Sequence, residues 1–445
     1  MRIPTIYAGV QASCCSSEFG GVELLAVLAA GAWYPLSVAA GKIRMVGEER
    51  VGLVLAGGGA RGAYEVGALS VLLPALEEAG QRPTVLVGTS VGAINIAYFA
   101  ATAHLRAADA VAGGIELWRS LRWEQVLTPL LAPSTVLRKL SYLGDVLGVP
   151  GVQLKALLDT TPLTETVQRV IDFAQLHGNV EAGWVHATAV VGTSAATSES
   201  VVFVEGGTLP PEDIGAGLDY VATGLTDEHV RASTAIPVLF PAVHVSQPAR
   251  ARGWYLDGGA RLNTPVRPAL SLGVDRLLVI GLNAIAQAPH ALASDEPPDA
   301  FMGAGALLEG ALADSLVQDV RALARVNLML GDRRDEVRAA DGWRYRQIPF
   351  IYVAPALRQE IDQLAERVFA EHYEGRNALR SVDLTLLARL IGGSAGHGAL
   401  LSYLFFAPEF AAALIELGRS HAQHWLATHT GPDGPWQLNS ADPTH

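Results

Sequence analysis

Cysteine is nearly absent from this chain: the two it has, Cys14 and Cys15, are adjacent and lie outside the segments with regular patterning. Neither a disulfide framework nor a cysteine nucleophile is indicated. A lipoprotein reading of Cys14 finds only Ile3 to Val10 as an apolar lead, with Gln11 where an apolar residue is wanted. Charge is scarce as well. Charged residues make up 17% of the chain, the net charge is -12, and no dense run of Lys and Arg breaks the pattern. No electrostatic footprint for nucleic acid exists, so nucleic acid is not an expected partner. With 46 glycines and 50% hydrophobic residues, the same low charge speaks against long disordered tails. Long apolar runs are also few. Residues 22–41 are mostly apolar, but Glu23 and Pro35 interrupt them, and Leu24 to Gly41 barely reaches membrane-spanning length. Two readings stand open for this leader: a signal or anchor, or a translation start at Met45, which leads directly into the first strong strand. There is no His-Glu-x-x-His run and no repeat of fixed period, and neither metal nor cofactor is called for.

What is present fits one large α/β domain or two medium ones. Val51 to Ala56 is a short apolar run ending in glycines, and a helical stretch follows from about Gly62 to Glu78. Thr84 to Val87 is a second such run, with a helix of small and apolar residues from Val91 to Ala101 behind it. Two successive strand-to-helix units predict a parallel-rich central sheet sandwiched by helices, a three-layer α/β/α fold. Further strands are expected at His186 to Val191, Val201 to Val204, Arg276 to Leu282 and Ile348 to Val353, and helices at Leu357 to Ala370 and Pro408 to Trp425. The stretch from Thr102 to Thr164, rich in Leu, Trp and Pro, reads as a helical insertion: either a cap on the core or the apolar wall of an acyl-chain site. The resulting plan is a leader over 1–44, a catalytic domain over 50–285, a helix-rich extension over 286–430 packing on the same core, and a polar tail over 431–445.

Gly88-Thr89-Ser90-Val91-Gly92 matches Gly-x-Ser-x-Gly and falls between a strand and a helix, where that pattern has mechanical meaning. Ser90 is forced onto a sharp turn, and Gly88 and Gly92 let strand and helix approach closely. The helix beyond it places positive dipole near a developing oxyanion. Gly57-Gly58-Gly59-Ala60-Arg61-Gly62 follows the first strand, and its amides could turn into a cavity without side chains in the way; Gly58 and Gly59 are the expected donors, flanked by Gly57. Arg61 has two roles open, charge for the oxyanion or bracing of the loop. The same residues fit Gly-x-Gly-x-x-Gly, which raises a dinucleotide site. Such a site wants an acidic residue ending the second strand, and here that strand ends in the serine turn.

Asp257-Gly258-Gly259 is ordinary turn chemistry by itself. A serine hydroxyl, however, needs a base within reach, and a shielded carboxylate can serve. Taken together, the GGGARG loop, the GTSVG turn, the block Ala232-Ser233-Thr234-Ala235-Ile236-Pro237 with Phe240-Pro241, and the DGG turn resemble the patatin-like phospholipase family, in that order, over about Val51 to Leu282. Phe405 to Ala422 is similar, less specifically, to bacterial members. The resemblance implies hydrolysis of acyl esters in lipids by a dyad of Ser90 and Asp257 without a catalytic histidine. It also implies an oxyanion hole in the glycine loop. The expected substrate is a lipid or membrane surface, and the expected location cytoplasmic or peripherally membrane-associated, with an anchor in residues 22–41 left open. A transacylase would use the same residues, and a catalytically silent lipid-binding protein would share the fold. A Ser-Asp-His triad would draw on His397, His421, His424 or His429, and His244 is expected as a structural histidine in a core strand.

Overall fold

The computed structural model describes residues 24–29, 32–39, 42–45, 49–129, 156–210, 217–283, 319–331, 337–338, 344–357, 359–378, 380–391, 397–431 and 434–439. Two compact units result, 1–49 and 50–445. In the first, the apolar run read as an anchor forms strands: β1 (Leu24–Ala29), β2 (Ala32–Ala39) and β3 (Lys42–Met45) make an antiparallel meander. Its ladders close at Ala29 with Ala32 and at Ala39 with Lys42, and Pro35, unfavourable inside a helix, lies mid-strand opposite Ala26. Among the described residues no single helix is long and apolar enough to cross a membrane.

The second unit is built on a mixed, mostly parallel sheet. Its first strands are β4 (Val51–Leu55), β5 (Pro83–Thr89) and β6 (Ala187–Ser194). Next come β7 (Ser200–Gly206), β8 (Leu218–Ala222), β9 (Val243–Val245), β10 (Gly253–Asp257) and β11 (Arg276–Ile280). After the two-residue strands β12 (Val337–Arg338) and β13 (Arg344–Tyr345), which pair with each other, β14 (Phe350–Val353) completes the order β14-β11-β4-β5-β6-β10-β9. The five strands from β14 to β6 run parallel. Beyond them β6 pairs antiparallel with both β7 and β10, and β8 lies parallel to β7. The parallel strands are buried along nearly their whole length, which is why they read as continuous apolar runs. β8, β9 and β10 are short and partly exposed, and periodicity did not reveal them.

One face of the sheet carries α1 (Gly62–Glu78), α2 (Val91–Ala101) and α3 (Ala107–Ser120), with Leu69, Ile96 and Trp118 in its core. The other face packs Val54, Val87 and Val279 against Val266, Ala269 and Leu323. Three layers follow, as predicted. Of the insertion expected over Thr102 to Thr164, α3 and the first residues of α4 (Thr161–Val170) are helical, while 130–155 fall outside the described residues; α5 (Phe173–Ala182) follows it. Short helices α6 (Asp227–Ser233), α7 (Gly259–Leu262) and α8 (Val266–Ser271) connect the later strands. The carboxyl-terminal part is helical: α9 (Glu360–Tyr373), α10 (Val382–Ile391), α11 (His397–Leu404) and α12 (Pro408–Thr428), with α12 beginning at its proline. Gln437, in the stretch read as a polar tail, bridges Phe350 on β14 through two backbone hydrogen bonds of 2.7 and 2.9 Å.

Candidate active site

One edge of β6 brings the site together. β5 pairs with it up to Thr89 opposite Val191, and β10 occupies the same edge from Gly192 onward, with Asp257 opposite Gly192. The two strands meet end to end, so the residue after β5 and the last residue of β10 become neighbours although 167 positions separate them. Ser90 Oγ donates to Asp257 Oδ2 at 2.6 Å.

Ser90 sits at φ 54°, ψ -124°, a strained conformation for a residue with a Cβ. Its surroundings hold it there. A side chain at Gly92 would collide with the carbonyls of Leu55 and Ala56, and one at Gly88 with Gly92 itself, so strand and helix touch backbone to backbone. The Ser90 N–H donates to Ser233 Oγ at 2.9 Å, and that hydroxyl donates to the Val191 carbonyl at 2.6 Å. Ser233 thus positions the turn. The signal for Ser233 in the sequence is its place in the block Ala232 to Pro237.

Asp257 is 2% exposed. Burial, which disfavours the charged form, is the main influence on its carboxyl; hydrogen bonds from Ser90 and the Gly259 amide pull the other way, and the outcome is a pKa pushed up to about 7. Gly259 N–H donates to Oδ1 at 2.7 Å, which leaves Oδ2 for the serine. Gly258 packs against the Val191 carbonyl, where a Cβ would collide.

In the glycine loop, the Gly57 amide donates to the Asn263 carbonyl at 3.1 Å and the Arg61 amide to the Gly58 carbonyl at 3.2 Å. The amides of Gly58 and Gly59 make no hydrogen bond within the described residues. Gly59 has φ +59° and lines the same cavity as Ser90; a side chain there would strike the Tyr403 carbonyl. Of the two roles open to Arg61, the contacts give bracing. Its guanidinium bonds Ser402 Oγ and the Ala399 carbonyl, pairs with Asp362 at 2.7 Å, and stacks 4.0 Å above the Tyr403 ring. It ties the loop to α9 and α11.

Ser90 opens onto a cavity whose walls are almost wholly apolar, among them Val91, Ile94, Leu117, Val167, Ile236 and Phe406. Two polar wall residues, Asn95 and Trp118, are bonded to each other: Trp118 Nε1 donates to Asn95 Oδ1 at 3.0 Å. The Asn95 amide in turn donates to the Gly62 carbonyl at 3.1 Å and to Glu65 Oε2 at 2.8 Å. Burial raises the Glu65 carboxyl well above the usual range. A polar residue inside the apolar run Val91 to Ala101 was the available signal for this network.

The histidines lie elsewhere. His244 is exposed on edge strand β9 and packs edge-on against Trp254; being at the sheet margin, it is not the core residue expected. His421 accepts from or donates to Tyr64 at 2.8 Å, His424 is exposed, and His429 stacks on Trp425. The side chain of His397 falls outside the described residues. No cluster of His, Cys, Asp and Glu suited to a metal occurs among the described residues.

Solved structures similar to this chain include VipD from Legionella pneumophila, 14% identical with a TM-score of 0.32, covering 92% of this chain and 70% of that one. A human GIVD cytosolic phospholipase A2 is 13% identical, with a TM-score of 0.32 and coverage of 84% and 60%. The ExoU-SpcU complex from the type III secretion system of Pseudomonas aeruginosa gives 14% identity, a TM-score of 0.24 and coverage of 90% and 83%. No curated protein matches the chain. Residues 53–270 match the model of the patatin-like phospholipase family, and with its mostly parallel sheet flanked by helices the chain carries a patatin-like phospholipase domain over that stretch.

Proposed function

We propose that the protein hydrolyses acyl ester bonds of lipids, a phospholipase A or lysophospholipase type of activity, through Ser90 and Asp257. The observation that carries this reading is the 2.6 Å hydrogen bond between Ser90 Oγ and Asp257 Oδ2 at the wall of an apolar cavity. The ionised Asp257 takes the hydroxyl proton as Ser90 Oγ forms a bond to the ester carbonyl carbon. Negative charge then develops on the carbonyl oxygen, where the Gly58 and Gly59 amides and the start of α2 would stabilise it. The carbon–oxygen bond to the alcohol breaks, and the alcohol leaves with the proton from Asp257. Water, deprotonated by Asp257, releases the acid and restores Ser90. The acyl chain lies in the cavity, and the substrate is met at a membrane or lipid-aggregate surface.

The test is mass spectrometry of the products from a mixed lipid extract, alongside labelling by a fluorophosphonate probe. Wild type should release fatty acid and take the label, while Ser90→Ala should do neither. Release of fatty acid by a folded Ser90→Ala protein would overturn the assignment, and labelling with acyl transfer to an added alcohol in place of water would make the enzyme a transacylase.

A further inference from the structure

The cavity beside Ser90 follows α2. Val91, Ile94, Asn95 and Tyr98 all line it, and their spacing of three, four and seven places them on one face of that helix. From Val91 to Tyr98 the helix rises roughly 10 Å, enough for an extended chain of about eight carbons. At that depth stands the Tyr98 ring, whose hydroxyl donates to the Ala110 carbonyl of α3 at 2.9 Å. The ring needs room on α3 to take this position, and α3 carries two consecutive glycines there. A Cβ at Gly113 would press on the Tyr98 hydroxyl, and one at Gly114 would come within 3.3 Å of both Tyr98 Cε1 and Val66 Cγ1. Glycine weakens a helix interior, so a Gly-Gly step in mid-helix asks for a reason, and the seated ring supplies one.

We propose that Tyr98, seated in the Gly113–Gly114 notch, is the floor of the acyl cavity and sets the chain length the enzyme accepts at about eight carbons, the roughly 10 Å that α2 rises between Val91 and Tyr98. This inference rests on the hydrolase reading above. Trp118, fixed by its bond to Asn95, forms a side wall of the same tube. Removing the floor admits methylene groups that otherwise stay in water, and burying about two of them is worth at least tenfold.

The experiment measures kcat/KM of the full chain on p-nitrophenyl esters from butyrate to palmitate. Wild type should favour octanoate over palmitate. Tyr98→Ala should raise the palmitate-to-octanoate ratio about tenfold or more, whereas Tyr98→Phe, which keeps the ring, should hold the wild-type ratio. Ile94→Trp, blocking the path one turn from Ser90, should raise the butyrate-to-octanoate ratio by a similar factor and serves if Tyr98→Ala fails to fold. Length profiles unchanged in the folded variants, or shifted as much by Tyr98→Phe as by Tyr98→Ala, would overturn the proposal. A second arm is independent of turnover: titration calorimetry of octanoate and palmitate on the Ser90→Ala protein, with and without Tyr98→Ala. If no ester is hydrolysed, the hydrolase reading fails and this arm decides. Palmitate binding gained only with Tyr98→Ala sustains the floor, and equal or absent binding of both acids removes it.

Discussion

Asp257 and Glu65 are both buried carboxyl groups near the carboxyl ends of central strands, and burial is the first cause of a raised pKa in each. Their partners differ. Asp257 accepts from a hydroxyl that lines the cavity, whereas Glu65 accepts from the Asn95 amide, which is itself bonded to the Gly62 carbonyl. A hydroxyl can surrender its proton to the carboxylate and then attack a carbonyl carbon; an amide can do neither. A perturbed carboxyl therefore marks a base only where its partner is a nucleophile open to substrate. Everywhere else it marks a tie within the core. Here the tie runs from the glycine loop through Asn95 to Trp118 on the cavity wall.

The widest separation between the two should come in turnover. Asp257→Asn keeps the shape and the hydrogen bond but cannot accept a proton, so kcat should fall at least about 10³-fold, as for Ser90→Ala. Glu65→Gln should keep most activity. In wild type, kcat/KM should rise with pH up to about 7 as Asp257 ionises, and this limb should be unchanged in Glu65→Gln. A limb that moves with Glu65 instead would reverse the assignment. Alanine at His244, His421, His424 or His429 should leave most turnover, because none of their recorded contacts reaches Ser90 or Asp257. A folded but inactive histidine variant would replace the dyad with a triad.

Next in size is the glycine loop. A valine at Gly58 would collide with Leu282 and crowd the two unbonded amides, so turnover should drop about 10²–10³-fold in a protein that still folds. Near-normal turnover would move oxyanion stabilisation elsewhere.

This loop and the serine turn were legible in the sequence because close backbone contact demands glycine at fixed offsets, as at Gly88 and Gly92. Asp257 could be paired with Ser90 only through the company of motifs, since their meeting depends on β5 and β10 sharing one edge of β6. Asn95, Trp118 and Tyr98 belong to no catalytic motif; a polar residue in an apolar helix can signal a core tie or a site, and only contacts separate the two. In the leader, length and hydropathy leave both readings open. Its hairpins are fixed by pairings between segments, such as Pro35 with Ala26, which hydropathy does not register.

Stability separates the carboxyls less strongly. Glu65→Ala would strand the Asn95 amide and open a hole beside α2, so thermal unfolding should show a loss of about 2–4 kcal/mol. Glu65→Gln should cost far less. Because the native Glu65 holds its proton above the usual carboxylate range, wild type should lose stability as pH rises through that range and beyond, and Glu65→Gln should flatten this decline. Equal losses in both variants would mean that the carboxyl group itself matters here and the volume it fills does not.

The smallest effect is the most discriminating, and it concerns the stability of Asp257→Asn. The native carboxyl titrates at about 7 instead of 3.8, so between those values the folded protein binds the extra proton and the unfolded chain does not. Stability contributed by this group is complete below pH 3.8 and falls as pH rises to about 7, above which the charge is buried in full. Asparagine carries no such charge. At pH 8 Asp257→Asn should therefore be as stable as wild type or more so, by about 1–2 kcal/mol, with the difference shrinking toward pH 5. The measurement is the unfolding midpoint in denaturant at several pH values, with Glu65→Gln alongside. A variant that loses activity and gains stability would identify Asp257 as a residue kept charged at a cost to the fold. A variant less stable than wild type at pH 8 would make Asp257 a structural tie of the same kind as Glu65.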